Sequence, residues 1–289
     1  MSSENILYKV KKLREITGVG FKDCKIAIDE SNGDVEKAIE FLRKKGIAKA
    51  NKKMERVASD GLISIFEKDN SFSILEVNSE TDFVAKNSEF INFVEKVSEL
   101  VFTASGDIKN VPDLDMENKK KVKDNLISLI SKIGEKITIR RCDMIKSNNF
   151  INFSYIHSAI KKNVGKIGVL LSLEVTNKSE EVLKFGKDLT MHIAATSPLA
   201  IDKEGLDQNL LNKEKEIITE ELKNSGKDSN IIDKIALGKL NKFISDNTLL
   251  NQEWIKEPKK KVKDIIKEAS QNNKIKIKKF IRFKVGEGV

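Results

Sequence analysis

The fold is decided by residues 72–87, FSILEVNSETDFVAKN, and by a related segment further along the chain. The first half of this stretch carries apolar residues in a pattern typical of a strand, and residues 88–104 then carry an apolar stripe at helical spacing. The related segment repeats LEV at 173–175, where the first has LEV at 75–77, and a second helical stripe follows over 178–195. This order predicts a duplicated module in which a strand leads into a helix.

The two copies differ in the connection between strand and helix. Phe93 and Phe185 align the two helices, and sixteen positions separate Val77 from Phe93 but ten separate Val175 from Phe185. The first copy therefore contains six extra residues, which fall at or near residues 81–86 (TDFVAK).

An aromatic residue and a valine follow the acid in this insertion, although loops at such places are usually polar. Two interpretations of Phe83 are open from the residues alone. Its ring packs back onto the core of its own domain, or the loop presents it as an aromatic wedge to a pocket on a partner.

Each copy also contains a predicted hairpin. In the first, apolar residues over 62–65 and 72–77 flank a turn at 68–70, and in the second the strands lie over 150–155 and 167–175. A helix over 122–133, closed by Gly134, and a strand over 137–145 complete the first copy.

The first 46 residues predict three short helices with a very small core. Asp34 is a plausible N-cap of the third helix, and Gly46 is its predicted stop. Residues 47–58 then read as a polar linker.

A helical hairpin is predicted over residues 207–246, with its turn at 224–227 and a narrow apolar stripe typical of an antiparallel coiled coil. Pro258 is expected to open another helix, and alternation over 275–285 predicts a final strand that returns to the main sheet.

Composition excludes most enzyme classes. Among 289 residues there are two cysteines and two histidines, which exclude a disulfide framework and a cysteine-rich zinc site. Phosphate-binding, dinucleotide-binding and nucleophile-elbow motifs are missing. No run approaches the ~18 apolar residues of a membrane-spanning helix, and no secretory signal begins the sequence. We therefore expect a cytoplasmic protein that works by binding, without a cofactor, a metal or a membrane partner.

The net charge of +9 comes from 53 Lys and Arg against 44 Asp and Glu, and only six of the 53 are Arg. Phosphate and base recognition favours Arg, so the lysine runs at 119–121 and 259–261 are interpreted as solvated surface. The alternative is a basic RNA- or ribosome-binding protein, which predicts strongly salt-dependent binding to RNA.

Several motifs together resemble the elongation factor Ts family, bacterial guanine-nucleotide exchange factors for elongation factor Tu. In chain order they are LREITGVG at 13–20, LEVN and TDFVAKN within 75–87, IGE at 133–135, MHIAA at 191–195, and FIRF at 280–283. The resemblance runs essentially from end to end.

This resemblance implies an α+β protein with a small N-terminal three-helix (ubiquitin-associated-like) domain and two similar core subdomains. The implied divisions are a partner-docking domain and linker at 1–56, core subdomain N at 57–146, core subdomain C at 147–206, an inserted coiled-coil hairpin at 207–246, and a return to the core with a final strand at 247–289.

The resemblance also implies the function, namely binding of elongation factor Tu in its GDP-bound and nucleotide-free forms and promotion of GDP release. The loop that enters the GTPase domain near its magnesium is matched by Thr81, Asp82, Phe83 and Val84. No covalent chemistry and no specific nucleic acid are implied.

Other partner contacts are implied for Arg14, Val19 and Phe21 on the helical domain and for His192 in the core. Phe21-Lys22 departs from the apolar, methionine-like residues expected at that turn. A homodimer through the coiled-coil region is a further expectation.

Overall fold

The computed structural model describes residues 3–147, 149–223, 229–270 and 274–289. The helices are α1 (Ser3–Thr17), α2 (Phe21–Glu30), α3 (Val35–Lys53), α4 (Asp82–Ala85), α5 (Ser88–Thr103), α6 (Val122–Ile133), α7 (Glu180–Thr196), α8 (Gln208–Lys223), α9 (Ser229–Asn247) and α10 (Val262–Ala269). The strands are β1 (Asp60–Lys68), β2 (Ser71–Ser79), β3 (Ile137–Ile145), β4 (Ile151–His157), β5 (Val164–Gly165), β6 (Ile167–Val175), β7 (Glu253–Trp254), β8 (Glu257–Lys261) and β9 (Ile275–Lys284). The α+β class is confirmed.

Two antiparallel sheets stack face to face. One has the order β3-β2-β1-β5 and the other β4-β6-β9, while β7 and β8 form a separate small hairpin. An apolar cluster from both sheets fills the space between them. The outer face of the first sheet is covered by α5 and α6, and that of the second by α7 and α10. The core therefore has four layers, helix, sheet, sheet and helix.

The strands at the centre of each sheet are buried on both faces. In β2, Phe72 and Ile74 face the other sheet, whereas Leu75 and Val77 pack under the helices. Strands that are buried on both faces carry nearly continuous apolar runs, as residues 74–75 of β2 and 169–171 of β6 do. The sheets approach so closely that a Cβ on Gly168 of β6 would lie 2.6 Å from the Ile63 side chain.

One carboxylate lies in this apolar layer. Glu76 is completely buried, and its Oε1 accepts hydrogen bonds from Arg140 Nη1 and Gly286 N–H, both at 2.9 Å. Asn78 and Arg141 also donate to it. Burial alone would raise the pKa of Glu76, but the bonds from Gly286, Asn78 and the two arginines outweigh burial and lower that pKa. Glu76 thereby ties the segment after β9 to the first sheet.

The third helix is longer than predicted. α3 continues through Gly46 to Lys53, so most of the expected linker at 47–58 is helical. Gly46 is no stop, because it faces α6: a Cβ there would lie 2.6 Å from Ser131 Oγ. The residue predicted as a helix stop instead allows α3 to pack closely on the core. Asp34 is confirmed as the N-cap, since its side chain accepts from the N–H groups of Glu36 and Lys37.

A second correction concerns Pro258, which lies inside β8 and opens no helix; α10 begins four residues later at Val262. The hairpin arms α8 and α9 are confirmed, whereas their predicted turn at 224–227 lies outside the described residues. The described part of the chain contains no helix with the length and apolar character needed to cross a membrane.

Replacing Glu76 with Gln should lower the free energy of unfolding by about 3 kcal/mol, because two arginines lose the charge that compensates them. Since the folded pKa is lowered, the stabilisation from this carboxylate exists above its unfolded pKa and disappears as pH falls through the folded pKa. Urea unfolding between pH 7 and pH 3 should therefore show a smaller loss of stability for Glu76→Gln than for the wild type.

The matched control is Glu174→Gln, at the corresponding position of the second LEV. Glu174 is exposed and pairs only at the surface with Lys278, at 3.4 Å. Its loss should change stability by less than about 0.5 kcal/mol. Equal effects of the two substitutions would contradict a structural role for the buried carboxylate.

Candidate partner-binding site

The six-residue insertion forms the single-turn helix α4 at the end of β2. Val84 and Ala85 are buried in the core, whereas the Phe83 side chain is 77% exposed. The same turn thus has an anchored side and an exposed aromatic. Of the two interpretations of Phe83, packing on its own core is wrong in this structure, and the ring is available to a partner.

Thr81 fixes the start of the turn. Its N–H donates to Glu135 Oε2 at 3.0 Å, and its hydroxyl donates to Glu135 Oε1 at 2.8 Å. Its carbonyl accepts a hydrogen bond from Ser79 Oγ at 3.0 Å. All three polar groups of Thr81 therefore have partners.

Asp82 is paired within the turn. Its Oδ2 lies 2.8 Å from Lys86 Nζ, and the hydrogen bond from Lys86 is the main reason that the pKa of Asp82 is lowered. The same ammonium lies 5.9 Å from the centroid of the Phe83 ring. The side chains of Asp82 and Lys86 are each half or more exposed to solvent. A group on a partner can therefore take the place of Lys86 beside the Asp82 carboxylate at little cost, because such surface ion pairs are weak.

The helical domain reaches the same part of the core. Gly18, at φ +66°, begins the turn before α2, and the end of the Lys132 side chain lies against it. Lys132 belongs to the last turn of α6, two residues before Gly134, which ends that helix in the left-handed conformation, and three before Glu135. The 132–135 segment therefore contacts both the helical-domain turn and the Phe83 loop.

The implied contacts on the helical domain differ in exposure. Arg14 is exposed, Phe21 is 42% exposed, and Val19 is half-buried because it packs against the small helical core. The Arg56 guanidinium, just beyond α3, lies 3.2 Å from Glu80, the residue before Thr81. An ion pair thus joins the end of the helical domain to the base of the Phe83 turn.

His192 does not agree with the partner contact expected of it. The ring is fully buried, stacks on Trp254 with centroids 5.0 Å apart, and shares a hydrogen bond with Gln252 at 3.1 Å. Burial lowers the pKa of His192 to about 4, although the bond to Gln252 opposes this. The residue is a neutral core histidine that fastens α7 to the segment returning from the hairpin.

Sequence reasoning missed Glu80, Glu135 and Arg56. Glu135 lies in the IGE motif, but nothing in that motif states which backbone it would bind. The one useful signal was the position of Glu135 in the sequence. It directly follows Gly134, which ends α6, and it comes just before β3, so it lies near the end of the strand that pairs with β3.

Other titratable groups offer little chemistry. Burial raises the pKa of Cys142 to about 11, which keeps its thiol protonated, and burial also raises the pKa of Cys24. In the described ranges, acidic, histidine and cysteine side chains form no cluster that could hold a metal. The lysine runs are partly neutralised, since Lys121 pairs with Asp115 and Lys260 with Glu257 and Glu268.

Comparison with known proteins gives a consistent result. A family model described as Elongation factor TS matches residues 80–287, which include the Phe83 turn. A protein named elongation factor Ts from Bartonella tribocorum (strain CIP 105476 / IBS 506) is 40% identical over 284 residues, covering 97% of this chain and 92% of the relative. Proteins of the same name from Rickettsia typhi (strain ATCC VR-144 / Wilmington) and Parvibaculum lavamentivorans (strain DS-1 / DSM 13023 / NCIMB 13966) are 42% and 40% identical over 283 residues.

Each of these two relatives is matched by 97% of this chain, and the match covers 91% and 92% of their own lengths. The similarity therefore includes the helical domain, both sheets and the hairpin arms. With the family model covering well over half of the sequence, the chain belongs to the elongation factor Ts family of translation elongation factors.

Proposed function

We propose that this chain binds elongation factor Tu and promotes release of its GDP, as a guanine-nucleotide exchange factor in translation elongation. One observation carries the proposal: Phe83 is 77% exposed on a turn whose other apolar residues are buried. Exposure of a large aromatic costs hydrophobic free energy, and aromatic anchors of this kind dominate the energetics of interfaces.

The chemistry of the turn suits a nucleotide site that depends on a metal. Phe83 and Asp82 enter the GTPase domain beside the bound Mg²⁺ in this proposal, with Thr81 and Val84 completing the loop. Mg²⁺ requires near-ideal octahedral geometry, so a small displacement of its surroundings weakens its binding. The GDP phosphates then lose charge neutralisation and dissociate faster. No bond is made or broken, so the chain acts without being an enzyme in the covalent sense.

A second contact is assigned to the helical domain, through Arg14, Val19 and Phe21. Its support is the arrangement of the 132–135 segment, which touches the turn at Gly18 and holds Thr81. The domain and the Phe83 turn thus share a fixed scaffold and can meet one GTPase domain together. His192 is left out of the direct contacts because its ring is buried.

Exchange requires that the partner be bound in both its GDP-bound and nucleotide-free forms. Because coupling between two ligands is reciprocal, the factor by which this chain weakens GDP binding equals the factor by which GDP weakens binding of this chain. A cytoplasmic location and a homodimer through the hairpin α8–α9 remain parts of the proposal. We also propose that the domains divide at residues 56, 146, 206 and 246.

Phe83→Ala should slow GDP release stimulated by this chain about 30-fold, which corresponds to an anchor of about 2 kcal/mol. The measurement is the rate of fluorescent GDP release from purified elongation factor Tu at increasing concentrations of the variant. Thermal unfolding should be unchanged, because an exposed ring contributes little to the folded core.

Ile160→Ala is the control, since Ile160 is 41% exposed on the loop after β4 and takes no part in the proposed contact. It should exchange at the wild-type rate. Wild-type exchange by Phe83→Ala would refute the aromatic wedge, and an inactive wild-type chain would refute the proposed function itself.

Removal of residues 1–56 should raise the Kd for elongation factor Tu about tenfold or more, because the helical-domain contact is lost. The sheets keep their own cores, so cooperative unfolding should remain. The urea midpoint should fall, since Ala50 of α3 belongs to the same apolar cluster as residues of α5 and α6. Titration calorimetry measures the Kd, and a urea unfolding curve on the same sample tests for cooperative unfolding. A truncated chain without a cooperative transition would show that the domain boundary is misplaced.

A further inference from the structure

The ladder between β2 and β3 is extended by side chains. The last backbone pair is Ser79 with Ile137. Beyond it, Glu80 accepts a hydrogen bond from the Lys136 N–H, and Glu135 accepts one from the Thr81 N–H. Each carboxylate thus takes the place of a backbone carbonyl from the opposite strand. These two carboxylates, which we call the brace, hold the two strand ends together beyond the last backbone pair.

Thr81 contacts Glu135 and does not make the hydrogen bond that is usual for a threonine at its position. It occupies the N-cap of α4, where a threonine oxygen normally accepts a hydrogen bond from the first turn of the helix. Within the described residues its side chain makes no such bond, and the hydroxyl donates to Glu135 instead. The two helices that align between the copies, α5 and α7, are capped in the ordinary way: Asn87 accepts from the Glu89 N–H at 2.9 Å, and Ser179 accepts from the Val182 N–H at 3.3 Å. The difference between the copies lies at the insertion.

The brace fixes one side of the turn and the core fixes the other. Glu135 holds both Thr81 donors, while Val84 and Ala85 are buried three and four residues later. Phe83 lies between these anchors and points to solvent. A side chain that is ordered before binding loses less conformational entropy on binding, so an anchored turn increases affinity without making any new contact.

We infer that Glu135 is the positioning residue of the Phe83 turn: it touches no part of the partner and acts by holding Thr81, so that the aromatic is presented in its binding orientation. This inference rests on the proposed exchange function and adds to it a residue that determines activity from outside the contact. Glu135 should affect exchange only through Phe83.

A double-mutant cycle tests this dependence. In fluorescent GDP release from elongation factor Tu, Glu135→Ala should lower the stimulated rate at subsaturating concentrations about tenfold, as expected for loss of hydrogen bonds to a charged group. Glu135→Ala combined with Phe83→Ala should be no slower than Phe83→Ala alone. Glu135→Gln, which can still accept from the Thr81 N–H, should recover part of the rate. Glu117→Ala removes a surface carboxylate paired with Lys96 and is the control.

Amide hydrogen exchange of residues 81–86 gives a readout that does not depend on activity. These amides should exchange faster in Glu135→Ala than in the wild type, while the strands of both sheets keep their protection. If Glu135→Ala fails to unfold cooperatively, Thr81→Val replaces it, because it removes only the hydroxyl bond and should show the same effects at smaller size.

The inference is overturned if Glu135→Ala exchanges GDP as fast as the wild type, or if it slows exchange equally with and without Phe83. In both cases an active wild type and an impaired Phe83→Ala leave the proposed function intact. An inactive wild type removes the proposed function, whatever Glu135 does to the turn.

Discussion

The buried carboxylate of Glu76 is the interaction on which the two stacked sheets depend. It lies in a layer of isoleucine, leucine and phenylalanine, where an unpaired charge would cost several kcal/mol. Asn78 and the two arginines belong to the first sheet, and Gly286 adds its hydrogen bond only when the segment after β9 lies against that sheet. The carboxylate therefore specifies how the sheets align, which the surrounding apolar contacts, being non-directional, do less sharply.

The Phe83 turn follows directly from β2, but it exposes an apolar side chain where the strand buries its own. β2 delivers the chain to the sheet edge, and the six inserted residues place one aromatic in solvent while their neighbours return to the core. A locally unfavourable arrangement that is held by several bonds is typical of functional sites. The net charge of +9, by comparison, is spread over lysines that repeatedly pair with nearby acids.

Much of the fold was predictable from the sequence, because helical and strand periodicities are local. The hairpins, α5, α6, α7 and the final strand follow the apolar spacing, and the extra turn around Phe83 follows from comparing the two copies. The spacing of apolar residues along the chain does not predict which distant segments contact each other. Gly46 has the signature of a helix stop, yet it serves the approach of α3 to α6. Glu135 and the burial of His192 depend likewise on neighbours 54 and 60 positions away.

The tie between Glu76 and Gly286 spans 210 positions of the chain. During synthesis, the first sheet can form its hairpin and receive its helices long before residue 286 has been made. Until then the buried acid lacks one of its donors, and the inner face of the first sheet lacks the part of its cover that comes from β9. Native contacts between such distant segments close late and slowly. A nascent or prematurely ended chain would therefore remain open between its sheets, with apolar surface exposed to chaperones and proteases.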